Sequence, residues 1–388
     1  MVYLDSAATM PLLPEVRKAM RETEVKFFGN ASALHTPGHL AHNLIEECRE
    51  VLAEMVGCLP SEIIFTSGAT ESNNTVIHTF EGCRIETSPL EHHSILEAAK
   101  IYKGDKEPGL YSYMLANNET GEYLWGVQDS TFSTRLRSPV VTGSAALSLL
   151  ASSQDGLEST ILEPRQYVHS DLTQVLGKIP INVRDLGLDY ATFSAHKIGG
   201  PVGVGALYVR EGAPFRPLLI GGLQEKGRRG GTYNTVGIAG FKKALECVKN
   251  RGDFEIYDQK VRKLRDTLAK RILKEIPGSS LNTDIRKGKS LPNILNASFK
   301  AAEGESIQLY LDAEGIIVST GSACAAGDIK PSHVLMAKTG DAEVAHSSIR
   351  FSFGIDNTME DVEKVMAVLP GIISRLQGVS TIPFDGIS

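Results

Sequence analysis

No stretch of the sequence approaches the ~20 consecutive apolar residues that a membrane-spanning helix needs. The first residues carry no basic stretch followed by an apolar one, so we expect no export signal. The five cysteines, Cys48, Cys58, Cys83, Cys247 and Cys324, include no C-x-x-C pair, which argues against a disulfide framework and a thiolate zinc site. These absences predict a protein of the reducing cytoplasm with neither a membrane segment nor a metal centre.

The sequence also lacks a concentration of charge of one sign. Its 40 basic and 46 acidic residues are mixed along the chain and leave a net charge of −6, so no broad basic face is predicted for direct nucleic acid binding. Neither a G-x-G-x-x-G nor a G-x-x-x-x-G-K-[ST] motif occurs, which removes support for dinucleotide and P-loop sites. What remains is a chain of 388 residues, 42% of them apolar, which is typical of a folded protein of two domains.

Short β-rich runs alternate with helix-period stretches through the first 250 residues, and this alternation predicts an α/β fold with a parallel sheet. From about residue 255 a long charged helix leads into a smaller α+β pattern. We therefore predict a large domain at 14–255, with an atypical middle at 104–165, and a small domain made of 1–13 and 256–388. Residues 128–164, rich in Ser and Thr, suggest a surface excursion or a mobile insertion. The predicted strands of the large domain are 62–66, 84–87, 111–116, 167–171, 190–194 and 206–210, and those of the small domain are 293–299, 315–319 and 348–353.

Ser194, His196 and Lys197 follow a predicted strand and precede a Gly/Pro-rich turn. Polar residues at the end of a strand in a parallel sheet point into the crevice where ligands bind. A lysine there can form a Schiff base if its surroundings keep the amine neutral part of the time. The alternative is a solvated lysine in a turn.

Three other segments carry polar residues that suit a phosphorylated ring. Asp171 ends a predicted strand and could keep a pyridine nitrogen protonated, or could cap a helix. The small residues 67–70 open a helix whose backbone N–H groups could bind a phosphate, or form an ordinary cap. His92 and His93 point in different directions as neighbours, so a shared metal is not expected, whereas one of them could stack on a ring.

Cys324 lies in a run of small residues, 319–328, that cannot pack a core. Such a composition predicts a loop that presents the thiol to solvent, which makes Cys324 a candidate nucleophile on a tether. The other four cysteines lie in ordinary core or surface patterns, and we assign them no chemistry.

The order of these motifs resembles that of the cysteine desulfurases of the NifS/IscS-like type, in the class V aminotransferase family of fold-type-I pyridoxal phosphate enzymes. The Ser-Ala-Cys run at Cys324 is similar to the IscS-type subgroup. The resemblance implies a large domain with a mainly parallel, seven-stranded-type sheet and a smaller α+β domain. The matching segments are 3–9, 29–35, 66–72, 91–93, 117–121, 221–225, 229–232, 291–296 and 346–354, together with those around Asp171, Lys197 and Cys324.

The same resemblance implies the chemistry and its residues. The cofactor would be pyridoxal 5'-phosphate and the substrate L-cysteine, which would leave as L-alanine while its sulfur forms a persulfide on Cys324. The catalytic residues would be Cys324, Lys197 and His92, and the substrate would be bound by Arg350 and Asn118. A homodimer is implied, as is a sulfur-acceptor protein in iron–sulfur cluster assembly, tRNA thiolation or DNA phosphorothioation. The cofactor would be held by Ala69, Thr70, His92, Asn118, Asp171, Gln174, Ser194, His196 and Lys197, and by the partner subunit's Thr232.

The sequence departs from the family pattern in places. The chain between Glu91 and Asn118 is shorter than usual, and Gly231 replaces a serine beside the expected phosphate site, which puts cofactor affinity in question. Two alternatives therefore stay open: another pyridoxal phosphate lyase, such as a selenocysteine lyase, or a catalytically weak scaffold homologue. Cys324 distinguishes sulfur transfer from the first alternative, since only sulfur transfer requires its thiol.

Overall fold

The structure is a computed structural model that describes residues 1–124, 166–320 and 331–379. The predictions for residues 128–164 and for Cys324 therefore lie outside the described residues. Within those three ranges, no helix has the length and apolar character needed to cross a membrane. The same ranges contain no group of three or more His, Cys, Asp or Glu side chains arranged to hold a metal ion.

The elements are numbered here in chain order. The strands are β1 (Val2–Tyr3), β2 (Ile63–Thr66), β3 (Cys83–Thr87), β4 (Lys106–Ser112), β5 (Tyr167–Asp171), β6 (Tyr190–Ser194), β7 (Gly205–Val209), β8 (Ser279–Leu281), β9 (Ile294–Phe299), β10 (Ile316–Ile317), β11 (Ser319–Thr320) and β12 (Ser348–Ser352). The α-helices are α1 (Pro14–Lys26), α2 (Thr36–Val56), α3 (Ala69–Thr79), α4 (His93–Tyr102), α5 (Thr235–Asn250), α6 (Phe254–Glu275), α7 (Gly304–Ala313), α8 (His333–Thr339), α9 (Ala342–His346) and α10 (Met359–Val379).

A six-stranded sheet organises the larger part of the described chain, in the order β2-β7-β6-β5-β4-β3. Strands β3 to β6 run parallel, whereas β7 is antiparallel to both β6 and β2. The predicted α/β class with a mainly parallel sheet is thus confirmed, with six strands in the described ranges where the resemblance implies seven.

Two layers of helices cover the two faces of this sheet, as the alternation of side chains along β2 illustrates. Ile63 and Phe65 pack in the cluster formed with α2 and α5, while Ile64 packs on the opposite face with α3 and α4. Successive side chains of a strand point to opposite faces, so a strand that is buried on both faces reads as a continuous apolar run. A short continuous apolar run such as that of β2 therefore predicts a buried strand.

Two strand predictions are wrong. The strand predicted at 315–319 is divided between β10 and β11, which belong to different sheets. Strand β4, predicted at 111–116, runs Lys106–Ser112. Beyond its end the Met114 N–H donates to both carboxylate oxygens of Glu91, at 2.9 Å each, instead of to a neighbouring strand. A side chain thus takes the donor that the sheet would have used, which ends the ladder and turns the chain towards the cavity described below.

Helix α2 shows how local signals set the bounds of an element. His35 caps it through Nδ1, which accepts the Gly38 N–H at 3.1 Å, and Gly57 ends it with a left-handed φ of 74°. Leu40 shares the apolar spacing of this helix but is 46% exposed. The stripe that enters the core is Ala41, Ile45, Cys48, Leu52, Ala53 and Val56.

A second, smaller layer packs around the antiparallel sheet β11-β12-β9-β8 and the parallel pair β1-β10. Val2 and Leu4 share one apolar cluster with α6, α7 and α10, which gathers residues from both ends of the chain. Three apolar clusters, one on each face of the six-stranded sheet and one in the smaller layer, support the predicted division into 14–255 and 1–13 with 256–388. That division stays a prediction.

Candidate active site

A cavity of about 450 Å³ lies at the carboxyl ends of β5 and β6, a volume within the ordinary range for small-molecule sites. Chain order alone does not bring these residues together; the parallel arrangement of the strands does, because their carboxyl ends meet at one edge. The residues predicted for cofactor and substrate that line the cavity are Ala69, Thr70, His92, Asn118, Asp171, Gln174, Ser194, His196, Lys197 and Arg350.

Lys197 enters the cavity from a short 3-10 turn that follows β6. Its Nζ donates to the carbonyl oxygens of Ala7 and Ala8, at 2.6 and 2.8 Å. These carbonyls belong to the N-terminal segment that follows β1, so the lysine side chain is oriented by a part of the chain 189 residues away or more.

Asp171 ends β5 and is 8% exposed. Its Oδ2 accepts from Asn73 Nδ2 at 2.8 Å and its Oδ1 from the Thr173 N–H at 2.9 Å. Two donors stabilise the charged carboxylate, as the protonation of a facing ring nitrogen requires. Asp171 also partly fills the alternative capping role, since its hydrogen bond with the Thr173 N–H closes a local turn.

Asn73 is a functional residue that sequence reasoning missed. It lies on α3, is fully buried, and reaches Asp171 across 98 positions of sequence. The available signal was an asparagine on the buried face of the helix that opens with the small residues 67–70, because a buried amide must find partners.

The N-terminus of α3 supplies backbone donors for an anion. The helix begins at Ala69, directly after β2 and a turn at Gly68, whose φ is 153°. A Cβ on Gly205 of β7 would lie 2.6 Å from Gly68 Cα, so this turn depends on a close backbone approach. N–H groups at a helix start and the positive end of its dipole favour a phosphate there.

Ser194 and His196 line the same cavity, at the end of β6. The Nδ1 of His196 lies 2.9 Å from Thr9 Oγ1, which fixes the ring and leaves Nε2 as its other polar atom. Burial, followed by the charges of Lys197 and Lys178, lowers the pKa of His196 to about 4. A neutral imidazole is thus present near pH 7.

Arg350 lies on β12 and is 4% exposed. Its Nη1 donates to the Asn118 carbonyl at 2.9 Å and its Nη2 to Asp5 Oδ1 at 2.8 Å. Its Nε is buried without a hydrogen-bond partner in the described part of the chain. A planar guanidinium that lines the cavity and is anchored on one side suits a carboxylate ligand. Asp5, a second residue that sequence reasoning missed, provides that anchor.

Of the two remaining predicted residues, Thr232 has a described position and lies outside this cavity. Thr232 is exposed and lines a separate hollow of about 120 Å³ beside Ser67 and Tyr233. Cys324 lies outside the described residues, and only the ends of its segment, Thr320 and the residues after 330, have a described position.

The mainly parallel sheet and the cavity at its edge are those of a fold-type-I enzyme that uses pyridoxal phosphate. Residues 2–365 match the family model described as aminotransferase class-V. A protein named cysteine desulfurase IscS from Dictyoglomus turgidum is 40% identical, over 98% of this chain and 96% of its own length. The chain belongs to the class-V aminotransferase family.

The chain is also similar in structure to solved proteins. A NifS-like protein superposes with a TM-score of 0.79 at 32% identity, covering 96% of this chain and 99% of that one. A structure described as SspA in complex with cysteine superposes with a TM-score of 0.69 at 26% identity, covering 91% and 99%.

Proposed function

We propose that this protein is a cysteine desulfurase, which transfers the sulfur of L-cysteine to its own Cys324 and releases L-alanine. The observation that carries the proposal is that Lys197, Asp171 and Arg350, from three separate segments, line one cavity of the right size. The names of the relatives support the same activity, and one related structure was solved with cysteine.

The residues of the cavity fit pyridoxal phosphate. Thr173 Oγ1, at the cavity wall, is buried without a hydrogen-bond partner among the described residues, which is a cost that a polar ligand relieves. The α3 N-terminus with Thr70, Ser194 and His196 would hold the phosphate, and Asp171 the ring nitrogen. Gln174 and Asn118 would contact the ring oxygen, His92 would stack on the ring, and Lys197 would bind the aldehyde carbon.

When bound, the cofactor withdraws electrons from the α and β carbons of the attached amino acid, which weakens the bonds that must break. The protein supplies the rest. Arg350 would bind the substrate carboxylate, held in place by its contacts with Asp5 and Asn118. Lys197 would carry protons between the substrate carbons, since its amine lies in the same cavity.

The sulfur would pass to Cys324 by thiolate attack on the substrate sulfur. The Cβ–S bond of the substrate breaks, an S–S bond forms, and protons complete the methyl group of alanine, so L-cysteine and one thiol give L-alanine and one persulfide. The described ends of the Cys324 segment support this role. Thr320 lies on β11 beside β12, which carries Arg350, and His333 Nε2 lies 3.0 Å from the carbonyl of Glu91, the neighbour of His92.

A homodimer would complete the site by placing the partner subunit's Thr232 at the phosphate. Thr232 is exposed and lines a hollow of its own, not the cavity of its own chain. In the same loop Ile220 is 92% exposed and Leu223 is 88% exposed, which is unusual for large apolar side chains and suits a subunit contact.

The persulfide would be passed to an acceptor protein of iron–sulfur cluster assembly, tRNA thiolation or DNA phosphorothioation. Persulfide transfer needs reduced thiols, and the four cysteines in the described ranges are all free. We therefore place the activity in the cytoplasm. Copurification of persulfide-loaded protein with its partners would identify the acceptor.

The experiment is incubation of the purified protein with L-cysteine, followed by mass spectrometry of the peptide that contains Cys324. One added sulfur on that peptide is expected in the wild type and in Cys247→Ser, a matched control in which a different cysteine is changed. Cys324→Ser should lose the added sulfur together with sulfide release. Full sulfide release from Cys324→Ser would instead establish a lyase. A colourless protein that binds no pyridoxal phosphate would indicate a scaffold.

A further inference from the structure

A continuous chain of hydrogen bonds joins His92 to Asp171 behind the cavity, through Asn73 and Ser94. Asn73 Nδ2 donates to Asp171 Oδ2 at 2.8 Å and to Ser94 Oγ at 2.9 Å. Ser94 Oγ in turn lies 2.8 Å from His92 Nδ1. An amide NH₂ has two hydrogens, and here each has one acceptor.

The direction of every bond in this chain can be determined. The backbone N–H of Ser94 donates to His92 Nδ1 at 3.1 Å, and a backbone N–H can only donate. His92 Nδ1 is therefore an acceptor without a proton. Ser94 Oγ must then donate its hydrogen to Nδ1, which agrees with its accepting from Asn73.

We propose that Ser94 and Asn73 are positioning residues that hold His92 as the neutral imidazole with its proton on Nε2. Two donors converge on Nδ1, so a proton on that nitrogen would break the hydrogen bond from the Ser94 N–H and force the Ser94 hydroxyl to turn from donor to acceptor. His92 then presents an N–H donor to whatever lies in the cavity. Its Nε2 cannot accept a proton while it carries one, so His92 is not a general base through that atom.

The charges around His92 agree with a neutral ring. Burial lowers the pKa of His92, Lys197 from the turn after β6 and His93 from α4 lower it further, and His333 from α8 does the same. Asp171 at the end of β5 opposes them by raising it. Asn73 lies between Asp171 and Ser94 and contacts the carboxylate directly.

The consequence for turnover rests on the proposed desulfurase function. In that reaction the proton transfers at the substrate carbons would fall to Lys197, while His92 would orient the ring and donate one hydrogen bond. The tautomer itself does not depend on which reaction the site performs, so the two claims can be separated by experiment.

The test is nitrogen NMR of the purified protein, labelled with ¹⁵N only in histidine, with His92→Gln used to assign the signals. We expect His92 to show a protonated Nε2 and an unprotonated, hydrogen-bonded Nδ1 between about pH 6 and pH 8. Ser94→Ala removes one of the two donors, and we expect the midpoint of the His92 titration to rise by about half to one pH unit. Ser94→Thr keeps a hydroxyl and should titrate as the wild type does.

A proton on Nδ1 in the neutral wild type would overturn the inference, as would a Ser94→Ala midpoint equal to that of the wild type in a protein that melts normally. The NMR measurements of the tautomer and of the titration midpoint do not require turnover. An absence of desulfurase activity would therefore refute the proposed function and leave the tautomer result standing.

Discussion

Replacing Glu225 with glutamine should destabilise the protein strongly, because it removes one half of a buried ion pair. Arg49 on α2 donates through Nη1 and Nη2 to the two carboxylate oxygens of Glu225, at 2.8 and 2.9 Å. Arg49 is 6% exposed and Glu225 is 3% exposed. The pair ties α2 to the loop 219–234, which carries Thr232, so its loss should affect both the fold and the proposed subunit contact.

Arg49 also forms a second ion pair, with a more exposed carboxylate, and the two pairs can be compared. Its Nε also contacts Glu46, at 3.1 Å, but the Glu46 side chain is 41% exposed. Breaking a buried pair from one side leaves an uncompensated charge and costs about 3–5 kcal/mol. Breaking a solvent-exposed pair costs roughly 1 kcal/mol or less. The two substitutions therefore differ by at least about 2 kcal/mol on one guanidinium.

The assay is urea unfolding of Glu225→Gln and Glu46→Gln at neutral pH and equal protein concentration, since oligomerisation makes apparent stability depend on concentration. A loss of less than 1 kcal/mol in Glu225→Gln, or equal losses in both variants, would refute the argument. If Glu225→Gln does not fold, the double variant Arg49→Met with Glu225→Leu should, because apolar residues replace a buried pair at little cost.

Two further predictions concern glycine packing and pH. Gly205→Ala should lower the free energy of unfolding by about 1–3 kcal/mol and weaken binding of pyridoxal phosphate in a fluorescence titration, because the new Cβ would lie 2.6 Å from Gly68 Cα. The control is Gly371→Ala, where a Cβ meets nothing within 4 Å and stability should be unchanged or higher. Burial lowers the pKa of His169 from 6.5 to about 4, so the unfolded chain binds the extra proton and stability should fall by about 2–3 kcal/mol as pH drops from 6.5 towards 4. Unfolding curves of His169→Gln should show a smaller fall across that range, and an identical fall would contradict the assignment.

Local sequence patterns were enough to predict the bounds of a strand where no distant side chain interrupts it. Strands β5 and β6 begin and end where the sequence predicts, and each begins at a tyrosine and ends in a polar residue at the edge of the sheet. The polar residues after those strands also line the cavity as predicted. The end of β4 was not predictable, because it depends on a bond from Met114 to Glu91, 23 positions earlier.

The sequence by itself determined the class of fold and the α/β alternation, because apolar spacing and strand-end chemistry are local properties, and the order of its motifs, through the resemblance they carry, gave the residues that line the cavity. Only the tertiary structure decided what holds those residues. Asn73 at Asp171, Asp5 at Arg350 and Glu225 at Arg49 are contacts across 98, 345 and 176 positions. The physical reason is that a side-chain hydrogen bond has a reach of about 3 Å in space and no fixed spacing in sequence. Residues so paired can be found only once the chain is folded.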